Sequence, residues 1–574
     1  MSQPIKDDDA APSTNPLEKA PMPYQGPENP PNSLPATNQD VEATESTPLE
    51  YTLEQDKRVL RKIDTWVLPV LCLTYMLQQH CKSSLSWASA FDLLPATHLE
   101  GSQYSWLTAL LYIAQLAFQP LSSFVLVRFP IKYWVLLNLF GWSAVTTATA
   151  AATSFTGLAV ASFLLGMFQA TIANSCVAIT QIWWRRREQS YRTTYWQIAN
   201  SSAAIVGPLL TYGVGHAASA GGVKEYQAIF ICIVRPLHHE PLPQTAHIMA
   251  RRSLRGLASR IAQGLLGVCS VPLVAYLLPN TPQTARFLRT GPDRAIALAR
   301  LRENQTGAAG TTTWKWSQVR ECVRDPKTWG WAMMYLFSAL PSGGFGAFGP
   351  IITRGFGYSS FQTILLQMPT GVISIAVLWT ATWATNRIKL RFPVVAIVAL
   401  FPIAGAVGLL LVPREKSTGL LGCYYVATTL GTLNPLVLSW GNMNAAGHTK
   451  RVVTTSIGFV FACIGNIVGP QVYLARERPY YRTGLYVDIS CWTCLCLASF
   501  LMAAHLKRLN NKQELRRIAA GRVGKTKDVS IMRIEEAKAY REAMKAEGVR
   551  EAGGEEADNE DMTDMENMDF HYVI

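Results

Sequence analysis

The sequence predicts an all-α membrane protein of twelve transmembrane helices, six on either side of a central break. Three observations carry that expectation. Apolar runs of about 20 residues, the length that crosses a hydrocarbon core about 30 Å thick, recur along the chain. They fall as six, a polar break, then six again, and positive charge collects in alternate loops between them. Charged residues make up 16% of the 574, below the roughly 25% usual in soluble domains, which argues against a single large soluble domain.

The first six segments are 65–91, 104–127, 133–152, 155–184, 191–216 and 226–278. The second six are 329–352, 361–385, 393–412, 418–446, 452–474 and 484–505. Several are longer than a straight crossing needs, which permits tilt without fixing an angle. Residues 1–56 are rich in Pro, Asn, Thr and acids and have no apolar stretch, a composition that cannot offset chain entropy and reads as a disordered tail. No charged region leads into a short apolar one at the start, so the first membrane helix is expected to direct insertion. The expected organisation is an N-tail over 1–56, an N-terminal bundle over 57–278, a linker over 279–325, a C-terminal bundle over 326–506, and a C-tail over 507–574. That last tail begins basic (Lys507 to Arg517), and its acidic stretch, Glu551 to Asp569, is expected to be disordered. The basic run suits anionic lipid.

Charge sets the orientation. Arg128 and Lys132 follow segment two, and Arg185, Arg186, Arg187 and Arg192 follow segment four. The central break holds Arg286, Arg289, Arg294, Arg300 and Arg302; Arg387, Lys389 and Arg391 follow segment eight, and Lys450 and Arg451 follow segment ten. The opposite loops are poorer, with Arg414, Lys416 and the stretch from Arg476 to Arg482 as exceptions. Even-numbered loops and both termini are therefore expected in the cytoplasm. The net charge of +13 is spread through these loops rather than gathered on one arm, which disfavours a nucleic-acid partner; the partner is the bilayer.

Segment six departs from the pattern. Its apolar parts, 226–234 and 264–278, are each too short to cross, but joined they make one helix. Between them 235–263 carries Arg235, His238, His239, Arg251, Arg252, Arg255, Arg260 and three prolines, which hydrocarbon does not accept. The expectation is a retained intron or a genuine basic insertion that interrupts the sixth helix.

Three motif-like strings are declined. Ala519 followed by Gly524, Lys525 and Thr526 has loose phosphate-loop spacing but no strand before it. Gly344, Gly346 and Gly349 have dinucleotide-site spacing but lie inside segment seven. With Pro341, Ser342, Gly343 and Pro350 they read instead as a bent or broken helix beside a cavity. The eleven cysteines lie mostly in apolar segments and the histidines of the insertion lack converging ligands, so no metal and no cofactor is expected. No nucleophile–base pair supports an enzyme.

A family resemblance rests on strings in order. Leu340-Pro-Ser-Gly-Gly-Phe-Gly-Ala-Phe-Gly-Pro350, Asn444-Ala-Ala-Gly-His-Thr-Lys-Arg451 and Gly465-Asn-Ile-Val-Gly-Pro-Gln471 resemble the major facilitator superfamily, fungal anion:cation symporter branch, the allantoate permease family. So do Gly101-x-Gln103-Tyr-Ser-Trp106, Trp183-Trp-Arg-Arg-Arg187 and Leu278-Pro-Asn-Thr-Pro-Gln-Thr-Ala285. The resemblance implies two pseudo-symmetric six-helix bundles rocking about a central site. It also implies a small carboxylate or ureide, commonly taken up with protons, at a fungal plasma membrane. The chain departs from the family pattern at Cys81-Lys82, Ser162 and Gln169, where relatives often carry an acid–base pair, an Arg and a Glu. It also lacks the acid of the gating loop, having Val127-Arg-Phe-Pro-Ile-Lys132, and has Asn386-Arg387 after helix eight.

Lys82 is the sharpest site candidate. It lies two-thirds along helix one among Gln78, Gln79, His80, Ser83 and Ser84. An ionisable group at that depth marks a pathway, and the bland alternative is a lysine snorkelling to the interface. His80 is the candidate proton relay. Gln169, Asn200 (with Gln197 three residues before it), Tyr335, Asn434 and Asn466 are candidate solute contacts, with Ser342 and Asn442 completing a polar lining. Each reads equally as helix–helix glue. Gly166, Gly207, Pro208, Gly343, Gly344, Pro350, Gly465 and Gly469 are expected as close-packing or hinge positions. Asp488, early in helix twelve, is expected at the interface. The expected function is a monomeric secondary carrier that takes up a small organic anion, with protons as co-substrate. Efflux of a metabolite or drug, and a transport-inactive nutrient sensor or degenerate paralogue, stand beside it.

Overall fold

The structure, a computed structural model, describes residues 51–90, 103–220, 264–302, 314–521 and 561–574 apart from isolated positions. The insertion at 235–263 and the N-tail before residue 51 lie outside the described residues. The described chain starts earlier than the expected bundle boundary. Thr52 caps an amphipathic helix, α1 (Leu53–Trp66), accepting from the Gln55 N–H while the Gln55 side chain accepts from the Thr52 N–H, a reciprocal cap.

The helices of the N-terminal half follow. They are α2 (Leu68–Ala90), α3 (Gln103–Arg128), α4 (Ile131–Ala148), α5 (Phe155–Gln169), α6 (Ile172–Trp183), α7 (Arg186–Ala220) and α8 (Leu266–Leu277). Two helices of the connecting region come next, α9 (Gly291–Arg302) and α10 (Trp316–Arg324). The C-terminal half holds α11 (Pro326–Arg354), α12 (Ser360–Leu365), α13 (Met368–Ile388), α14 (Phe392–Leu411), α15 (Ser417–Ala427), α16 (Leu433–Asn442), α17 (His448–Val468) and α18 (Arg482–Ala519). Among the described residues six helical spans are long and apolar enough to cross a membrane by that measure alone. Side chains such as Leu121, Phe140, Leu400 and Leu501 stand more than half exposed on their outer faces, which suits lipid rather than water.

Pairing repeats between the halves. The first membrane helix packs on the fifth (α2 on α7) and the seventh on the eleventh (α11 on α17). Between halves α3 meets α17 and α7 meets α13, contacts that exchange if a two-fold axis relates the halves. Glycines permit the closest of these approaches. A Cβ on Gly166 would lie 2.0 Å from the Leu111 carbonyl oxygen, and one on Gly469 would lie 2.2 Å from that of Leu340. Gly465 meets the backbone of α11 at Leu336 and Leu340, and Gly343 meets that of Asn466. Gly344 faces the Tyr473 ring. These positions serve close packing, and Gly207 and Pro208 are buried inside the continuous α7.

Helix seven is not broken where its sequence suggests. α11 runs unbroken through Pro341 and Pro350, because neighbouring helices can absorb the lost backbone bond of a proline. The interruptions lie elsewhere. The fourth membrane helix turns at Ala170 and Thr171 between α5 and α6, and the tenth passes through a 3-10 turn, Thr428–Thr432, between α15 and α16. The fourth and tenth are equivalent under the same two-fold relation.

Helix α1 and the last residues, 561–574, lie at the same end of the described membrane helices, here called the terminal face; the other end is the distal face. On the terminal face of the N-terminal half, Asp56 of α1 meets Arg185 at 3.2 Å and Arg300 of α9 at 3.1 Å. Arg300 also donates to Glu188 at 2.8 and 3.0 Å. All four side chains are buried. The C-tail corrects its expectation. Its last residues, 561–574, are not loose but lie folded against the terminal face of the C-terminal half, with Asp564, Phe570 and Tyr572 buried.

Candidate functional site

A cavity of about 460 Å³ lies between the halves. Polar contacts cross from one half to the other on both sides of it. Toward the terminal face the hydroxyls of Thr194 and Thr382 bond at 2.8 Å, and Asn174 donates to Ser456 at 3.2 Å. Toward the distal face Ser86 donates to the Gly346 carbonyl at 2.9 Å and Tyr104 to that of Ala347 at 3.2 Å.

The cavity gathers most of the residues that the sequence picks out. Lys82, Gln169, Asn200, Tyr335, Asn434 and Asn466 all line it, as does Pro350. Lys82 is the only formally charged side chain among the described lining residues. No described carboxylate comes within ion-pair distance of its Nζ, which sits 4.6 Å from the centroid of the Tyr112 ring. Stacking over that ring favours the cation and holds it at the cavity wall.

The amides differ in what they have left to offer. Gln169 is buried and donates to the Gln78 carbonyl at 3.5 Å, yet its Oε1 has no partner among the described residues. The Oδ1 of Asn200 is likewise unpartnered. Asn434 instead accepts from Ser338 at 2.6 Å, joining α16 to α11, and Asn466 donates to the Ala462 carbonyl of its own helix at 2.8 Å. Those two act as much in packing as in lining. Buried polar atoms seldom go unpaired, so Gln169 and Asn200 keep hydrogen-bonding capacity that Asn434 and Asn466 have spent.

Two residues that the sequence singles out lie off the cavity wall. His80 is buried but is not part of the cavity wall. Asp488, early in helix twelve, is wholly buried inside the protein, accepts from the Tyr473 hydroxyl at 2.5 Å, and leaves its Oδ1 unpartnered among the described residues. Tyr473 in turn packs against Gly344 of α11. The sequence reading also missed Tyr112, Gln115 and Gln119 of α3, which line the cavity; their spacing of three and four within an apolar run is the signal that marks one helix face.

A match to the Major Facilitator Superfamily covers residues 71–234. An uncharacterised transporter of Schizosaccharomyces pombe is 30% identical over 467 residues, spanning 81% of this chain and 82% of that protein. The chain belongs to the major facilitator superfamily. Other relatives within it are the thiamine pathway transporter of Saccharomyces cerevisiae, 26% identical over 83% of this chain and 85% of its own, and the allantoate permease of the same yeast, 25% identical over 82% and 83%. Among solved structures, a bacterial homologue of the human lysosomal transporter Spinster matches with a TM-score of 0.52 at 12% identity, covering 77% of this chain and 97% of that one. The Escherichia coli xylose transporter XylE matches with a TM-score of 0.52 at 11% identity, covering 75% and 96%. Superfamily membership makes the chain an integral membrane transporter built of two six-helix bundles. Its interrupted fourth and tenth helices both border the cavity, through Gln169, Ala170, Thr428 and Leu430, where irregular backbone has polar surroundings rather than lipid.

Proposed function

We propose that this transporter takes up a small organic anion by alternating access, with Lys82 as the group that binds the anionic end. One observation carries the proposal: Lys82 is the only formally charged side chain on the described cavity wall and has no described carboxylate to neutralise it. A carboxylate solute supplies the missing charge, and the free oxygens of Gln169 and Asn200 accept hydrogen bonds from its polar body. Cavities of this size suit small ligands. The allantoate permease among the relatives is named for a carboxylate, which agrees in class.

The bundles, 57–278 and 326–506, rock about the cavity, opening the Ser86 and Tyr104 contacts on one side and the Thr194 and Asn174 contacts on the other. The terminal face lies in the cytoplasm of a fungal cell, by the charge of its loops, and the plasma membrane is the site. The protein acts as a monomer. Protons are the co-substrate. Asp488, buried without a described cation beside it, is the group we assign to coupling, since a membrane carboxyl without a partner is a proton site by default; His80, off the cavity wall, is the second. The test is uptake of labelled carboxylates and of cations of similar size in a permease-deficient yeast at two external pH values. Accumulation of carboxylates, greater at the lower pH, is expected. Accumulation of cations alone would overturn the proposal.

A further inference from the structure

The segment 561–574 is docked like a ligand. Its backbone is read mainly by side chains, with one backbone bond from the Arg391 N–H to the Ile574 carbonyl at 2.8 Å. Asn444 donates to the Val573 carbonyl at 3.0 Å and accepts from its N–H at 2.8 Å, while Asn510 does the same for Tyr572 at 2.8 and 2.9 Å. Paired contacts of this kind fix register. Trp440 adds a bond to the Val573 carbonyl at 2.8 Å. Asp564 then enters a wholly buried site, where Lys450 reaches it at 2.9 Å, Lys327 forms a short ion pair with it, and the Tyr572 hydroxyl donates at 2.9 Å. At the other end Asp561 accepts from the backbone of His448 at 2.6 Å, and Thr563 donates to Glu321 at 2.9 Å.

The charges show that this site does not depend on its occupant. Lys327 and Lys450 face three carboxylates, Asp325, Glu321 and Asp564. Without Asp564, two cations face two anions, with Lys450 still 2.8 Å from Glu321 and 3.1 Å from Asp325. Removing a partner from a buried pair is severe when it strands a charge; here none is stranded. The contacts also lie at a functional edge. Trp440, Asn444, Ala446 and His448 flank Asn442 and Met443, which close against Val177 and Thr193 of the N-terminal half.

We propose that the terminal face of the C-terminal bundle is a reversible binding site for an acidic, aromatic peptide, that its occupant is the chain's own segment 561–574, and that occupancy holds the turn between the tenth and eleventh membrane helices closed. Vacating the site loosens that turn. A negative group added at Thr563 expels the segment, because it would face Glu321.

The test is hydrogen exchange of the full chain in lipid nanodiscs, comparing wild type with Asp564→Asn and Thr563→Glu. The wild-type amides of Tyr572 and Val573 are expected to exchange at least ~100-fold more slowly than in an unstructured chain. Both variants lose that protection, and exchange also quickens over 440–447 while the membrane helices are unchanged. A synthetic peptide of residues 561–574 binds the Asp564→Asn chain and restores protection over 440–447, but does not bind wild type, whose site is full. Fast exchange of the wild-type tail, protection retained in Thr563→Glu, an unaltered 440–447, or no binding of the peptide by Asp564→Asn would each overturn the proposal. So would loss of protection throughout the membrane helices, which marks a fixed structural staple.

Discussion

The two terminal-face charge clusters should respond differently to the same substitution. In the N-terminal half Arg185 and Arg300 face Asp56 and Glu188, two cations and two anions, all buried. Asp56→Asn removes the described carboxylate that both guanidinium groups share, and breaking buried pairs from one side costs about 3–5 kcal/mol. At 2–4 °C per kcal/mol for a unit of roughly 200 residues, the unfolding midpoint should fall by about 10 °C. Asp564→Asn strands no charge and should lower it by about 3 °C, on the scale of one hydrogen bond at ~1 kcal/mol. The chain carries its own reporters, since Cys81 and Cys176 are buried thiols outside any disulfide in the N-terminal half and Cys463 and Cys491 in the C-terminal half. Alkylation of each thiol, followed by mass spectrometry along a temperature ramp, reads the two halves separately. Equal falls for the two variants, or no fall for Asp56→Asn, would refute the charge accounting.

Other outcomes follow from single contacts. Gly166→Val and Gly469→Val force a side chain into backbone oxygens 2.0 and 2.2 Å away, so both should lose most folded protein in detergent by size-exclusion fluorescence, whereas Gly346→Ala, with nothing within 4 Å, should match wild type. Asp488→Asn should keep substrate exchange in proteoliposomes but abolish the external alkalinisation that accompanies uptake; a normal proton signal would remove Asp488 from coupling. Burial would raise the Asp564 carboxyl, but the Lys327 and Lys450 ammonium groups beside it hold it down at about 2. A folded value below the unfolded one of about 3.9 gives stabilisation that is complete above about pH 4 and is lost as pH falls toward 2. Protection of Tyr572 should therefore be flat from pH 5 to 8, and a loss across that range would contradict the pairing.

The membrane helices and their order are legible in the sequence because lipid imposes length and apolarity on every span. The cavity is partly legible for the same reason: Lys82, Gln169 and Asn200 stand out against apolar neighbours. His80 and Lys82 could have been separated by helical periodicity alone, since two residues turn the helix by about 200° and only one of them can face the cavity. The burial of Asp488 is not legible because its partner, Tyr473, belongs to a turn outside helix twelve. The docking of the C-tail is not legible because an acid-rich run resembles disorder, while the two lysines that bind Asp564 lie more than 100 residues away. Phe570 and Tyr572, the aromatic pair that the core buries, were the signal within the tail itself. The interruption of helix four carries no proline or glycine, so local composition does not mark it, whereas that of helix ten holds Gly431 and is followed by Pro435, which cannot donate a backbone bond across the turn.

The most direct measurement concerns Lys82. A carboxylate hydrogen-bonded to an ammonium group in a shielded cavity gains about 2 kcal/mol, or roughly 30-fold in affinity. Uptake into proteoliposomes should be compared for wild type, Lys82→Met and Lys82→Arg, using a transported carboxylate and its neutral amide analogue. The expected result is a KM about 30-fold higher for the carboxylate in Lys82→Met, little change for the amide, and substantial recovery in Lys82→Arg. An unchanged carboxylate KM in Lys82→Met, or an equal loss for the amide, would contradict an anion site at Lys82.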